Sequence, residues 1–104
     1  MINLAELHAT LKQVEGVARG SDAGEVFASA GEIDADTLCA VAAVSADALL
    51  QVGELFSAGS LERWYFTTEQ ATYYASERGA QRLIAVGEPV RNAESNCKAL
   101  HAAR

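Results

Sequence analysis

The residue pattern predicts an α+β layered domain with its elements in the order α-β-β-α-β-β-β-α. Three observations carry this. An apolar stripe at i, i+3, i+7 and i+10 recurs at both ends of the chain, in Leu4, Leu7, Leu11 and Val14 and again in Val90, Ala93, Cys97 and Leu100. A long proline-free stretch fills the middle. Around it lie short β-type runs bounded by Gly- and Asp-containing turns, and such short links favour antiparallel neighbours.

The first stripe places a helix from about Ile2 to Glu15, stopped by Gly16. Val17 to Ser21 and Glu25 to Ala30 follow as two strands joined at Asp22-Ala23-Gly24. The first of them is weakened by Gly16 and Gly20, which leave little side chain to pack. Gly31 closes the hairpin. Asp34 suits the N-cap of the next helix, and Asp36 sits at the positive end of its dipole. That helix runs from Ala35 to Ala58, with Gly53 its only internal glycine and Gly59 its stop.

Leu61 to Thr68 is a strand rich in aromatics and threonine. Leu61, Arg63, Tyr65 and Thr67 share one face; Glu62, Trp64, Phe66 and Thr68 share the other. After Glu69-Gln70, Ala71 to Ser76 forms the next strand. Arg78-Gly79-Ala80 then turns into Gln81 to Gly87, whose apolar middle marks a central strand buried on both faces. Pro89 suits the first turn of a last helix reaching Ala102.

The chain has 104 residues, half of them apolar and 21 of them alanine, which fits one domain over 1–104. A net charge of −6 argues against non-specific binding to nucleic acid or to an anionic membrane. Met1 to Glu6 lacks the basic region of a signal peptide, and the charge-free run Thr37 to Ala46 is half the length of a membrane span. Cys39 and Cys97 stand apart, without a CxxC or a Cys/His cluster. They are expected as core thiols of a cytoplasmic protein, with no metal and no cofactor. No GxxxxGK[ST] loop or Gly-x-Ser-x-Gly elbow is present. His8 and His101 have no nucleophile and carboxylate beside them and are expected at the surface, so no catalytic residue is assigned.

The long middle helix is more apolar than one sheet requires. On a wheel, Asp36, Asp47, Gln51 and Glu54 form one narrow polar stripe, and the apolar arc spans roughly two-thirds of the circle against about 100° for a helix covering a sheet. One flank carries Val41, Val44, Ala48 and Leu55; the other carries Cys39, Ala46, Leu50 and Gly53. The expectation is that one flank packs on the sheet and another meets a second copy. The small residues Cys39, Ala43, Ala46 and Gly53 permit close approach of a partner helix, so they are assigned with Leu50 to a dimer seam. On that assignment Leu50→Glu or Ala46→Glu separates the dimer. The aromatic strand is expected to pair with its symmetry mate through Leu61, Arg63, Tyr65 and Thr67, which removes a hazardous open edge.

Several local patterns, in this order, resemble the roadblock / dynein light chain family, which includes bacterial regulators of Ras-like GTPases. Val14-Glu15-Gly16-Val17 is similar to its helix-ending step and Asp22-Ala23-Gly24 to its hairpin turn. Leu38-Cys39-Ala40-Val41-Ala42-Ala43 is similar to the alanine-rich start of its second helix, and Gly87-Glu88-Pro89 with Asn92 to the entry of its last. The resemblance spans Leu4 to Leu100. It implies a five-stranded antiparallel sheet with helices on both faces, a roadblock/profilin-like arrangement. It also implies a dimer in which the third strand and long helix meet their counterparts, and a non-catalytic adaptor or regulator that binds a small Ras-like GTPase. The first hairpin is shorter than the family norm, with only Ala18-Arg19-Gly20-Ser21 between Val17 and the turn. The alternative is a small-ligand sensor or an enzyme subunit, which requires a concave pocket lined by Tyr73, Tyr74 or Trp64.

Overall fold

The structure, a computed structural model, describes residues 3–11, 13–55, 61–90 and 93–103. Its elements are α1 (Leu4–Thr10), β1 (Val14–Ser21), β2 (Val26–Gly31), α2 (Ala35–Leu55), β3 (Arg63–Thr67), β4 (Thr72–Arg78), β5 (Gln81–Gly87) and α3 (Glu94–Ala102). The five strands form one antiparallel sheet in the order β2-β1-β5-β4-β3. The expected element order and fold class are those observed.

Alternation along the central strands divides the core in two. Val17, Tyr74 and Leu83 point to one face, where Leu4 and Leu7 of α1 and Cys97 and Leu100 of α3 close over them. Ala18, Ala75 and Ile84 point to the other face, where α2 seats Leu38, Cys39, Ala42 and Ala46. Most of the facing residues here are small, which brings the α2 backbone close to the sheet. β5 is buried through Leu83, Ile84 and Ala85, as its apolar run requires.

Several boundaries differ from the sequence expectation. α1 stops at Thr10, whose hydroxyl donates to the Leu7 carbonyl at 2.8 Å; Leu11 is already extended, and Gln13, at φ 59°, turns the chain. Leu11 still reaches the core, so the apolar stripe outlasts the helix. Val14 and Gly16 belong to β1, opposite Gly87 and Val86 of β5. Gly16 is not a helix stop: a Cβ there would lie 2.6 Å from Ile33 Cγ2 and 2.8 Å from the Ala30 carbonyl oxygen, so close approach excludes a side chain. Far from being weak, β1 is eight residues long and paired on both sides.

At the far end, Pro89 and Val90 precede α3. The Val90 N–H donates to Thr72 Oγ1 at 3.1 Å, and the helix begins only at Glu94. Asn92, read as part of a family-like helix entry, lies outside the described residues, as do Phe56, Ala58 and the stop Gly59. Asp34 does cap α2. Its Oδ1 accepts from the Thr37 N–H at 3.2 Å and its Oδ2 from the Thr37 hydroxyl at 2.8 Å, and these bonds hold the carboxyl below its usual range. Taken whole, α2 is long and apolar enough to cross a bilayer, which the run Thr37 to Ala46 alone is not. Here it lies on the sheet and carries Asp36, Asp47 and Glu54.

Candidate protein-interaction surface

Between Ala35 and Leu55, α2 buries nothing beyond Ala46. From Asp47 to Leu55 every residue except the half-buried Gly53 is exposed. Val41, Val44, Leu49, Leu50, Val52 and Leu55 are all exposed, Val44 to 73% and Leu55 to 83%. Val41, Val44, Ala48, Val52 and Leu55 recur at i, i+3, i+7, i+11 and i+14, which is one helical stripe. Its Val41 end borders a narrow apolar crevice with Trp64, Phe66 and Tyr73, so the stripe faces the β3 side of the sheet.

The β3 edge continues this surface. The Trp64 and Phe66 rings stack at 5.9 Å, and Phe66 stacks on Tyr73 at 4.9 Å. The Thr68 N–H bonds the Ala71 carbonyl and the Glu77 N–H bonds the Glu62 carbonyl, each at 2.8 Å. Alternation in an antiparallel pair then turns the backbone groups of Arg63, Tyr65 and Thr67 outward, away from β4. An open strand edge therefore lies beside an exposed aliphatic stripe, the combination that marks an interaction surface.

The residues assigned to a dimer seam divide into two groups. Arg63, Tyr65 and Thr67 are exposed on the β3 edge, and Leu61, just before the strand, is half-buried against the α2 core. The helix residues lie largely against the chain's own fold. Cys39 and Ala46 are each 1% exposed and pack on the chain's own sheet; a Cβ on Gly20 would come 2.9 Å from Cys39 Sγ. Ala43 lies against the β1–β2 turn, 3.4 Å from where a Gly24 Cβ would sit. These small residues serve close approach of helix to sheet rather than helix to helix. Leu50 is exposed but lines a cleft with Asp22, Asp47, Glu77 and Arg82, and Gly53 is half-buried. Val44, Ala48, Val52 and Leu55, which the sequence did not assign to the seam, are exposed. Val44, Ala48 and Leu55 belong to the other flank of the wheel and Val52 to the apolar arc between the flanks, without the small-residue signal that drew the assignment to Cys39, Ala43, Ala46 and Gly53.

The titratable groups are tied into the fold. His8 and His101 are half-buried, not surface residues. His8 Nε2 lies 2.8 Å from the Val14 carbonyl and His101 Nδ1 2.8 Å from Ser76 Oγ. Ser76 is fully buried, and Arg78 ties it to the end of α3 through the His101 carbonyl at 2.6 Å. This serine presents no nucleophile to solvent. Glu77 accepts from Arg82 Nε at 2.5 Å and from Trp64 Nε1 at 3.3 Å. Burial pushes the Cys39 and Cys97 thiols up. Among the described residues no group of His, Cys, Asp and Glu is arranged to hold a metal.

The pocket that a ligand sensor needs would combine size with an apolar lining. Tyr74 is buried, its hydroxyl accepting from Asn96 Nδ2 at 3.2 Å, and Trp64 is buried as well. Two clefts of about 470 and 580 Å3 are lined mainly by small and charged residues. The groove with an apolar floor, which Tyr73 does line, holds only about 260 Å3.

No family model matches the chain, and no curated protein matches it. Solved structures do. A roadblock/LC7 domain from Streptomyces avermitilis superposes with a TM-score of 0.82 over 93% of this chain and 84% of its own, at 15% identity. MglB of Myxococcus xanthus gives 0.76 over 94% and 78%, at 15% identity. The gliding protein MglB of Thermus thermophilus gives 0.78 over 95% and 80%, at 18% identity. At such identities the likeness is one of fold, and the fold is that of roadblock/LC7 domains.

Proposed function

From a roadblock/LC7 fold as premise, we propose that this chain is a non-catalytic, cytoplasmic subunit that dimerises through α2 and β3 and regulates or tethers a small Ras-like GTPase. One observation carries the dimer: the exposed stripe Val41, Val44, Ala48, Val52 and Leu55 lies on the same side of the sheet as the open β3 edge. A two-fold axis at β3 would pair that strand with its mate and continue the sheet, and the same axis would bring the two α2 stripes together. Aliphatic surface of this extent on a small subunit is characteristic of obligate homodimers. The GTPase part rests on the family resemblance of the sequence and on the fold.

The test uses purified Ras-like GTPases encoded in the source genome, each loaded with GDP or a non-hydrolysable GTP analogue and titrated against the chain. One of them is expected to bind with a nucleotide preference. Failure of every such GTPase to bind in either state would overturn the GTPase assignment.

A further inference from the structure

We infer that the groove at the N-terminal end of α2 docks a partner segment presenting one bulky apolar side chain flanked by Lys or Arg. This rests on the proposed function for the idea of a protein partner and adds the chemistry that recognises it. The groove exists because α2 covers Ala18, Ala75 and Ile84 but not the next row of the sheet, where Val86 stands opposite Tyr73. Both are only half-buried. Ile33, lying over Gly16, forms one wall, and Leu38 and Val41 of α2 form the other. The resulting space of about 260 Å3 falls below the roughly 300–1,000 Å3 of small-molecule pockets and suits a single side chain.

The rim is acidic. Glu15, Glu32 and Asp34 border the floor, and no Lys or Arg lines it among the described residues. The Thr37 bonds hold the Asp34 carboxyl below its usual range. This charge argues against the α2 of a second copy as the occupant. Residues 35–55 contain no Lys or Arg, and a partner α2 would bring Asp36, Asp47 and Glu54 toward three carboxylates. Complementarity instead selects a basic segment with an apolar anchor. The groove shares Val41 with the exposed α2 stripe, so such a segment would bind beside the dimer seam.

The probe is a short synthetic peptide with a central Phe flanked by Lys and Arg. Two controls carry Glu flanks or a central Ser. Each is titrated into the isotope-labelled full chain, with amide shifts read by NMR. The basic peptide is expected to move the amides of Ile33, Thr37, Val41, Tyr73 and Val86, and to bind at least about fivefold more weakly at about 300 mM than at about 50 mM salt. Glu15→Lys/Glu32→Lys should weaken it at least about tenfold with the subunit mass unchanged. No shift at about 1 mM peptide, shifts confined to another surface, or equal binding of the Glu-flanked control would overturn the inference. Light scattering on the same samples reports the dimer separately. A dimer that ignores the peptide overturns the groove alone; a monomer whose groove binds it supports the groove and overturns the dimer.

Discussion

Gly87 has no room for a side chain, because a Cβ there would collide with the backbone of Gln13 and Val14 where the α1–β1 turn crosses β5. Gly87→Ala is expected to destabilise by about 2–3 kcal/mol, read by urea unfolding at fixed protein concentration; a loss under about 0.5 kcal/mol would contradict the packing described. The same reasoning corrects Gly16. As a single letter, a glycine that stops a helix and one that admits a neighbouring chain look alike, and the neighbours that decide between them, Ile33 and Ala30, are supplied by the folded hairpin. Glu77, itself half-buried, is the ion-pair partner of the buried Arg82, whose Nη1 has no partner among the described residues. Glu77→Ala should therefore cost about 3–5 kcal/mol in the same assay, and a cost below about 1 kcal/mol would show that solvent reaches the guanidinium. The two cysteines give a pH signature. Their raised pKa values mean the folded chain keeps protons that the unfolded chain releases. Their contribution to stability is thus complete below the ordinary thiol value of 9.0 and is lost as pH rises above it. The urea midpoint should fall between about pH 8 and about pH 10, and fall less in Cys39→Ala/Cys97→Ala; an equal fall in both would contradict the assignment.

At the scale of elements, α2 carries most of the exposed aliphatic surface. Its excess of apolar surface was legible on the wheel, and the strand edge that accompanies it was legible in LERWYFTT. The flank was not. Small residues allow close approach to a helix or to a sheet, and Cys39, Ala43 and Ala46 lie against the chain's own strands and hairpin. The informative sign lay elsewhere, in Ala18 and Ala75, small residues on the strand face that receives α2. Element ends were less legible than element types. The stripes include Leu11, in extended chain beyond α1, and Val90, ahead of α3, and both still pack on the core. The exposed flank of α2 makes a paired prediction. Val44→Glu should weaken the dimer at least about 100-fold, since a buried unpaired charge costs several kcal/mol, whereas Leu50→Glu should leave the mass unchanged. Sedimentation velocity reads both, and the reverse pattern would return the seam to the flank first assigned.

Across the whole molecule, two helices cover one face of the sheet and one helix covers the other. That imbalance explains why a chain with half its residues apolar still leaves large aliphatics in solvent. The exposed part of that half lies chiefly on α2 and at the β3 edge, and the −6 charge keeps the remaining surface soluble. The central claim is that this fold is completed by a second copy across α2 and β3. Sedimentation equilibrium on the purified chain from about 1 to about 100 µM tests it most directly. A single species of twice the 11.0 kDa chain mass is expected throughout that range; a chain that stays at 11.0 kDa up to the highest concentration would contradict the dimer.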